Sequence, residues 1–249
     1  MRRAFFSADL YCRYAEPLTD QVLFDWHAML MNGRRDVADV GAYRAHADPM
    51  QIVSGTLHAP RVHFEAPPSD RVSAEMARFI SWFNDSAPKG NTPVSAIARA
   101  AIAHLWSETV HPFEDGNGRL GRTISEKALA QSLEAPTLTA LAATMNLHKK
   151  AYYAELHRGS QTNRIDAWMG WFAEIVLVAQ ARTIDRIRFL IEKTRLLNRL
   201  RDKINARQEK ALIGMMAEGP DGFIGGLNAH NYRTITEATS ATATAISQS

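Results

Sequence analysis

No stretch of this chain limits its fold as tightly as His111 to Arg122, HPFEDGNGRLGR. Pro112 ends any helix arriving from upstream, because it has no N–H and disfavours helical backbone in the residue before it. Gly116-Asn117-Gly118 then permits a tight bend. LGRTISEKALAQSL resumes helical spacing, with Leu120, Ile124, Leu129 and Leu133 expected inward. The local fold is therefore helix, loop, helix, and the loop is crowded with chemistry. His111 titrates ordinarily near ~6.5 and can act as a general base. Asp115 offers oxygen to a hard cation such as Mg²⁺, which shares its ligands with substrate phosphates. Amides around Gly116, Asn117 and Gly118 can converge on phosphate oxygens at the positive end of the following helix. Arg119 and Arg122, three apart, fall on one side of that helix and can grip distal phosphates. These residues read as a phosphate-binding loop that carries its own base.

His111, Pro112, Phe113, Asp115, Gly116, Asn117, Gly118, Arg119 and Arg122 match every fixed position of the pattern HPFx(D/E)GNGRxxR. In this the chain resembles the Fic family. The resemblance implies transfer of AMP from ATP to a Ser, Thr or Tyr hydroxyl of a target protein; the alternatives are a Fic scaffold that binds or regulates with little transferase activity, or a Fic enzyme that uses another nucleotide or removes AMP. It assigns His111 as the base and Asp115 to Mg²⁺ or Mn²⁺. Phe113, Gly116, Asn117, Gly118, Arg119 and Arg122 fall to ATP. The related Doc branch, which phosphorylates, carries Lys where Gly118 stands here. Glu114 fills the variable position and is expected to face solvent without a role.

The rest of the sequence reads as mainly α: a Fic-type helical bundle with a small β-hairpin flap, then a partial helix-turn-helix-like C-terminal segment. The expected divisions are 1–40, an N-terminal helical segment, 41–204, the Fic domain, and 205–249. VLFDWHAML places Val22, Leu23, Trp26 and Leu30 at helical spacing. MQIVS and RVHFE are short β-like runs joined by GTLHAP, giving a flap at about 50–65. By resemblance Ile52, Val53, Val62 and Phe64 of this flap dock a target's backbone as an added strand; a plain structural hairpin is the other reading. A helix follows with Val72, Met76, Phe79, Ile80 and Phe83 on one stripe. The next is expected to start at Thr92-Pro93 and to bury Val94, Ile97, Ala98, Ala101 and Leu105. His104, beside that stripe, reads as a hydrogen-bonded structural histidine. Tyr152 and Tyr153 form a doublet that in the family helps wall the adenine pocket; aromatic residues at such spacing are also ordinary core. AWMGWFAEIVLVA reads as a central buried helix with Trp168, Trp171 and Phe172 in the core, and a separate long helix is expected from Ala181 to about Asn205.

Composition excludes several classes. Hydrophobic content of 46% with 22% charged residues is that of a globular protein. A net charge of +3 does not by itself point to nucleic acid. Residues 182–210 hold ten Lys/Arg against four Asp/Glu, a solvated face or a patch for an acidic partner. One cysteine, Cys12, excludes an internal disulfide, and a cytoplasmic location is expected. No apolar run reaches the ~18 residues of a membrane span. The C-terminal stretch resembles the start of a winged-helix module, with helices expected before EGPDG, in NAHNYRTIT and in SATATAISQS. That third stretch has no Lys or Arg, so DNA is a doubtful partner.

Fic enzymes are commonly silenced by a helix bearing (S/T)xxxE(G/N), whose Glu pairs with the second motif arginine. Here only Glu218 precedes Gly or Asn, and Gly214 stands four before it, so the pattern is absent. The expectation is either a cut N-terminus or an inhibitory helix or antitoxin supplied in trans, with Arg122 unoccupied by this chain. A homodimer is left open.

Overall fold

The structure is a computed structural model that describes residues 13–56, 59–137, 140–162, 164–223, 226 and 228–237, and gives no side chains for 52–63 or 229. Cys12 and the helix expected in SATATAISQS lie outside the described residues, as do the side chains of Ile52, Val53 and Val62. The described chain is mainly α-helical, with one two-stranded hairpin. It divides into two compact units, Met1–Gln180 and Ala181–Ser249.

In the first unit, α1 (Asp20–Met31) begins where the Thr19 hydroxyl accepts the Val22 N–H. The hairpin, β1 (Gln51–Thr56) and β2 (Ala59–Glu65), is antiparallel, with Gln51 opposite Glu65, Ile52 opposite Phe64 and Val53 opposite Val62. The register is irregular between Ile52 and Val53. Helices α2 (Ser69–Asp85), α3 (Ala96–Val110), α4 (Asn117–Leu133), α5 (Leu141–Leu147), α6 (Lys149–Gln161) and α7 (Asp166–Leu200) follow. The closest helix pair is α3 with α4. Gly121 makes this approach feasible, since a β-carbon there would sit 3.1 Å from Ser107 Oγ and 3.4 Å from His104 Cε1 of α3. One core joins Leu23 and Trp26 of α1, Phe79 and Phe83 of α2, Leu105 of α3, Ile124 and Ala128 of α4, and Trp168 and Phe172 of α7. Burying each large side chain contributes ~1.5–3 kcal/mol.

Four sequence expectations need correction. Helix α3 starts at Ala96, after Ser95, because Thr92 and Val94 spend their N–H groups on the carbonyls of Asp85 and Ser86, tying this connection to the end of α2. Leu133, the last residue of α4, is 64% exposed rather than inward. AWMGWFAEIVLVA and the stretch after Ala181 are one helix, α7, since no proline interrupts them. Only one face of its first half is buried: Trp168, Phe172, Ile175, Val176 and Ala179 are inside, whereas Leu177 and Val178 are exposed.

In the second unit, α8 (Ala206–Met215) opens with a capping box in which Asn205 and Gln208 satisfy each other's backbone N–H. A 3-10 turn (Met216–Asp221) contains the expected stop at Gly219-Pro220, and α9 (Ala229–Thr236) follows with Asn228 as its cap. Ile187, Leu190 and Ile191, on the α7 segment here, are exposed.

Candidate active site

Helix α3 ends at Val110, and His111 takes left-handed backbone, φ 49° and ψ 59°, which a β-carbon makes costly. The turn persists because its carbonyls are held. Arg44, 2% exposed, donates from Nε to the His111 carbonyl at 2.8 Å, and its own N–H donates to the Pro112 carbonyl at 3.0 Å. His111 Nδ1 lies 3.4 Å from the Glu108 carbonyl. That contact favours the tautomer with its proton on Nδ1 and a lone pair on Nε2. Burial, above all, lowers the His111 pKa, and Arg44 lowers it further against the opposing pull of Glu108 and Asp115. The imidazole is therefore neutral near pH 7.

The loop is pinned from within and from α1. Asn117 accepts the Phe113 N–H at 2.9 Å and donates back to the Phe113 carbonyl at 2.7 Å. His27, fully buried, stacks on the Phe113 ring with centroids 4.2 Å apart. Its Nδ1 accepts the Gly41 N–H, which places its proton on Nε2, donated to the Asp115 carbonyl at 3.1 Å. Gly116 caps α4 with φ 87°, and a β-carbon there would meet Met31 Cε at 2.4 Å. Glu114 is not idle in solvent: its Oε2 accepts the N–H groups of Ala38 and Asp39 at 2.8 and 3.1 Å. The expectation for Glu114 failed because a variable motif position says nothing about a loop 75 residues upstream.

Asp115 and Arg119 face outward. The Asp115 carboxylate lies 3.0 Å from Arg34 and 3.6 Å from Arg119, all three side chains being 40–44% exposed. The first N–H groups of a helix lack intrahelical partners, and those of α4 begin beside this charged cluster.

Arg122 is not left to itself. Glu108 on α3, Glu126 on α4 and Tyr152 on α6 all lie within its electrostatic reach. Glu108 is 9% exposed, and its Oε1 is buried with no hydrogen-bond partner. Burial pushes Glu108 and Glu126 up to about 7, with Arg122 opposing the rise in each case. A β-carbon on Gly121 would sit 2.6 Å from Glu108 Oε1, and one on Gly118 3.8 Å from it, so this carboxyl rests against the bare first turns of α4. Tyr152 is buried; its hydroxyl lies 3.0 Å from His104 Nε2, and Ser125 Oγ lies 3.2 Å from His104 Nδ1. His104 is the hydrogen-bonded core histidine expected, its pKa driven by burial to about 3. Tyr153 is 55% exposed, its ring 5.0 Å from that of Tyr152.

Phe64, in β2, is partly buried, and β2 touches α6. Among the described residues no cluster of three or more His, Cys, Asp or Glu could hold a metal. Asp115 alone fits Mg²⁺ only where substrate phosphates complete the shell, which is that ion's habit. Sequence reasoning missed His27, Arg34, Arg44 and Glu126. Glu108 carried a signal: it lies four residues after His104, hence on the same face of α3. No described helix is long and apolar enough to cross a membrane.

The family model described as Fic/DOC matches residues 17–129. The protein adenylyltransferase fic-1 of Caenorhabditis briggsae is 30% identical over 115 residues, which is 45% of this chain and 21% of that protein. The fic-1 protein of Caenorhabditis elegans matches with the same identity and coverage. The aligned part is thus about a fifth of the length of these relatives. Among solved structures, a Fic family protein from Desulfovibrio desulfuricans superposes with TM-score 0.57 and 20% identity, covering 97% of this chain and 63% of that one. A Fic domain containing signaling protein from Bacteroides thetaiotaomicron gives 0.58 and 18%, covering 74% and 68%. Both share its fold. The motif, the helices that present it and these likenesses agree that residues 17–129 match the Fic/DOC family and share the fold of these Fic proteins.

Proposed function

We propose that the chain is a protein adenylyltransferase, moving AMP from ATP to a Ser, Thr or Tyr hydroxyl of a target protein. The observation that carries this reading is a neutral, fixed imidazole at the mouth of a loop whose following helix opens beside Asp115, Arg119 and Arg122. The target hydroxyl gives its proton to His111 Nε2 as its oxygen attacks the α-phosphorus. The bond to the bridging oxygen breaks, and pyrophosphate leaves. Amides around Gly116, Asn117 and Gly118 hold the α and β oxygens, with Phe113 and Asn117 fixing the loop. Arg119 and Arg122 hold the β and γ groups. Mg²⁺ or Mn²⁺, when bound, neutralises phosphate charge, and Asp115 is the residue that would hold it. Positioning and electrostatics supply most of the rate in such transfers.

Tyr153, exposed beside the buried Tyr152, offers a ring to adenine, and the Tyr152 ring packs against it with centroids 5.0 Å apart. Residues Ile52, Val53, Val62 and Phe64 lie on the paired strands that would receive a target's backbone. The names of the relatives favour a protein substrate. Inhibition by a helix supplied in trans, and homodimerisation, stay part of the proposal, as does a cytoplasmic location.

Incubation with ATP labelled at the α- or the γ-phosphorus, in extract from the source cells, tests the reading. Protein-bound label is expected from α-labelled ATP only. Label from the γ position would make the chain a kinase, and label from neither would favour a binding scaffold, or an enzyme that uses another nucleotide or removes AMP.

A further inference from the structure

One buried cation, Arg44, has no part in the proposed chemistry and yet holds the head of the loop. Arg44 lies ahead of the hairpin. Its N–H and guanidinium reach the carbonyls of three successive residues: Val110 at 3.5 Å, His111 at 2.8 Å and Pro112 at 3.0 Å. The other face of the same guanidinium donates to Ser69 Oγ at 2.9 Å and to the Pro67 carbonyl. Ser69 Oγ in turn donates to the His46 carbonyl at 2.6 Å. Pro67 and Ser69 follow β2, and His46 precedes β1; the Ala66 N–H bonds the Met50 carbonyl between them. Arg44 therefore ties both ends of the hairpin to the residue that turns left-handed at the head of the motif.

We propose that Arg44 is a positioning residue for the transfer step, fixing the His111 imidazole relative to the hairpin stem so that base and target-docking strands share one brace. This rests on the transferase reading above. The physical case is threefold. A non-glycine residue at φ 49° persists only where its surroundings over-determine it, and here Arg44 holds the His111 carbonyl while the His111 N–H bonds the Ser107 carbonyl. A guanidinium can serve several carbonyls at once in fixed directions, which an ammonium cannot. A buried Arg with every partner a neutral oxygen also leaves a positive charge beside the imidazole. The groups that act on His111 are Arg44, Asp115 and the Glu108 carbonyl. Of these Arg44 favours the neutral ring and the other two favour the charged one.

Two substitutions separate brace from charge. Arg44→Lys keeps the charge and loses the fork; Arg44→Gln loses the charge. His111 is followed by ring nitrogen NMR across pH, ATP·Mg²⁺ affinity by calorimetry, and incorporation of α-labelled AMP into protein by turnover. In Arg44→Gln the His111 pKa should rise, since a neighbouring cation has gone, and in Arg44→Lys it should stay near the native value. Turnover should fall roughly 10- to 100-fold in both variants, with ATP affinity within about 3-fold of native, because the brace serves the base and not the phosphates. Arg44→Lys with native turnover, or Arg44→Gln with an unmoved His111 titration, would overturn the proposal. Calorimetry and NMR need no transfer, so they read the brace even if the native chain labels no protein; in that event the function reading fails by itself.

Discussion

The two ends of the motif are held by opposite means. Around His111 and Phe113 the polar groups are matched: Arg44 takes the loop carbonyls, Asn117 closes both bonds of Phe113, and His27 and Glu114 tether the loop to the chain around α1. Around Arg122 there is a deficit. Glu108 carries a buried oxygen with no hydrogen bond, and Glu126 has its pKa pushed to about 7 as well. A matched network is rigid, and losing one partner strands another. An unmatched one can gain when the offending group is neutralised. The base end is thus built to stay still, while the arginine end keeps its charge uncompensated enough to receive an anion.

The matched end should be costly to cut. Asn117→Ala strands the buried N–H and carbonyl of Phe113 and should destabilise the fold by ~2–4 kcal/mol in urea unfolding. A loss under ~0.5 kcal/mol would show that the pairing adds little. Gly116→Ala meets Met31 and a φ of 87° together and should cost ~1–3 kcal/mol; native stability would break the claim that the bend is fixed.

The deficient end should respond in the other direction. The Glu108 carboxyl has its folded pKa raised, so its contribution is full below the unfolded value near ~4.5 and is lost as pH rises through about 7. Glu108→Gln is neutral throughout. Its stability relative to the native chain should therefore improve from pH 5 to pH 8, by ~1–3 kcal/mol, read from melting temperatures at the two values. A constant difference would mean that Glu108 titrates normally and that the deficit is not there. His104, with a lowered pKa, works against acid stability: the fold loses stability as pH falls from ~6.5 towards about 3, because the unfolded chain takes up the proton first.

A smaller effect concerns Asp115. Arg34 already pairs with it in an exposed setting, and such pairs are worth only ~0–1 kcal/mol. Arg34→Ala should tighten Mg²⁺-dependent ATP binding by about 2- to 5-fold in calorimetry, since the cation would no longer displace a guanidinium. Weaker binding would instead make Arg34 a phosphate ligand.

Much of this was legible in the sequence, and the reason is local. The helix–loop–helix came from Pro112 and from glycines at 116 and 118, which restrict or free the backbone where they stand. The hairpin came from period-two runs bounded by Gly and Pro. What could not be read was distant: Arg44, His27 and Glu114 act through backbone groups up to 88 residues away, and such bonds leave no spacing pattern. The surroundings of Arg122 were hidden for the same reason: Glu108 acts on it from α3, across the loop, and leaves no linear pattern. Leu133 kept helical period yet faces outward, because period finds a stripe and not what covers it.

The division of labour between the two ends is tested most directly by comparing His111→Ala with Arg122→Ala for ATP·Mg²⁺ affinity and for AMP transfer in one preparation each. The account predicts that His111→Ala binds within about 3-fold of native and loses transfer by ~10²–10⁴-fold. Arg122→Ala should bind ATP at least ~10-fold more weakly, the worth of one charge-assisted contact. Equal loss of affinity in both, or native affinity in Arg122→Ala, would contradict it.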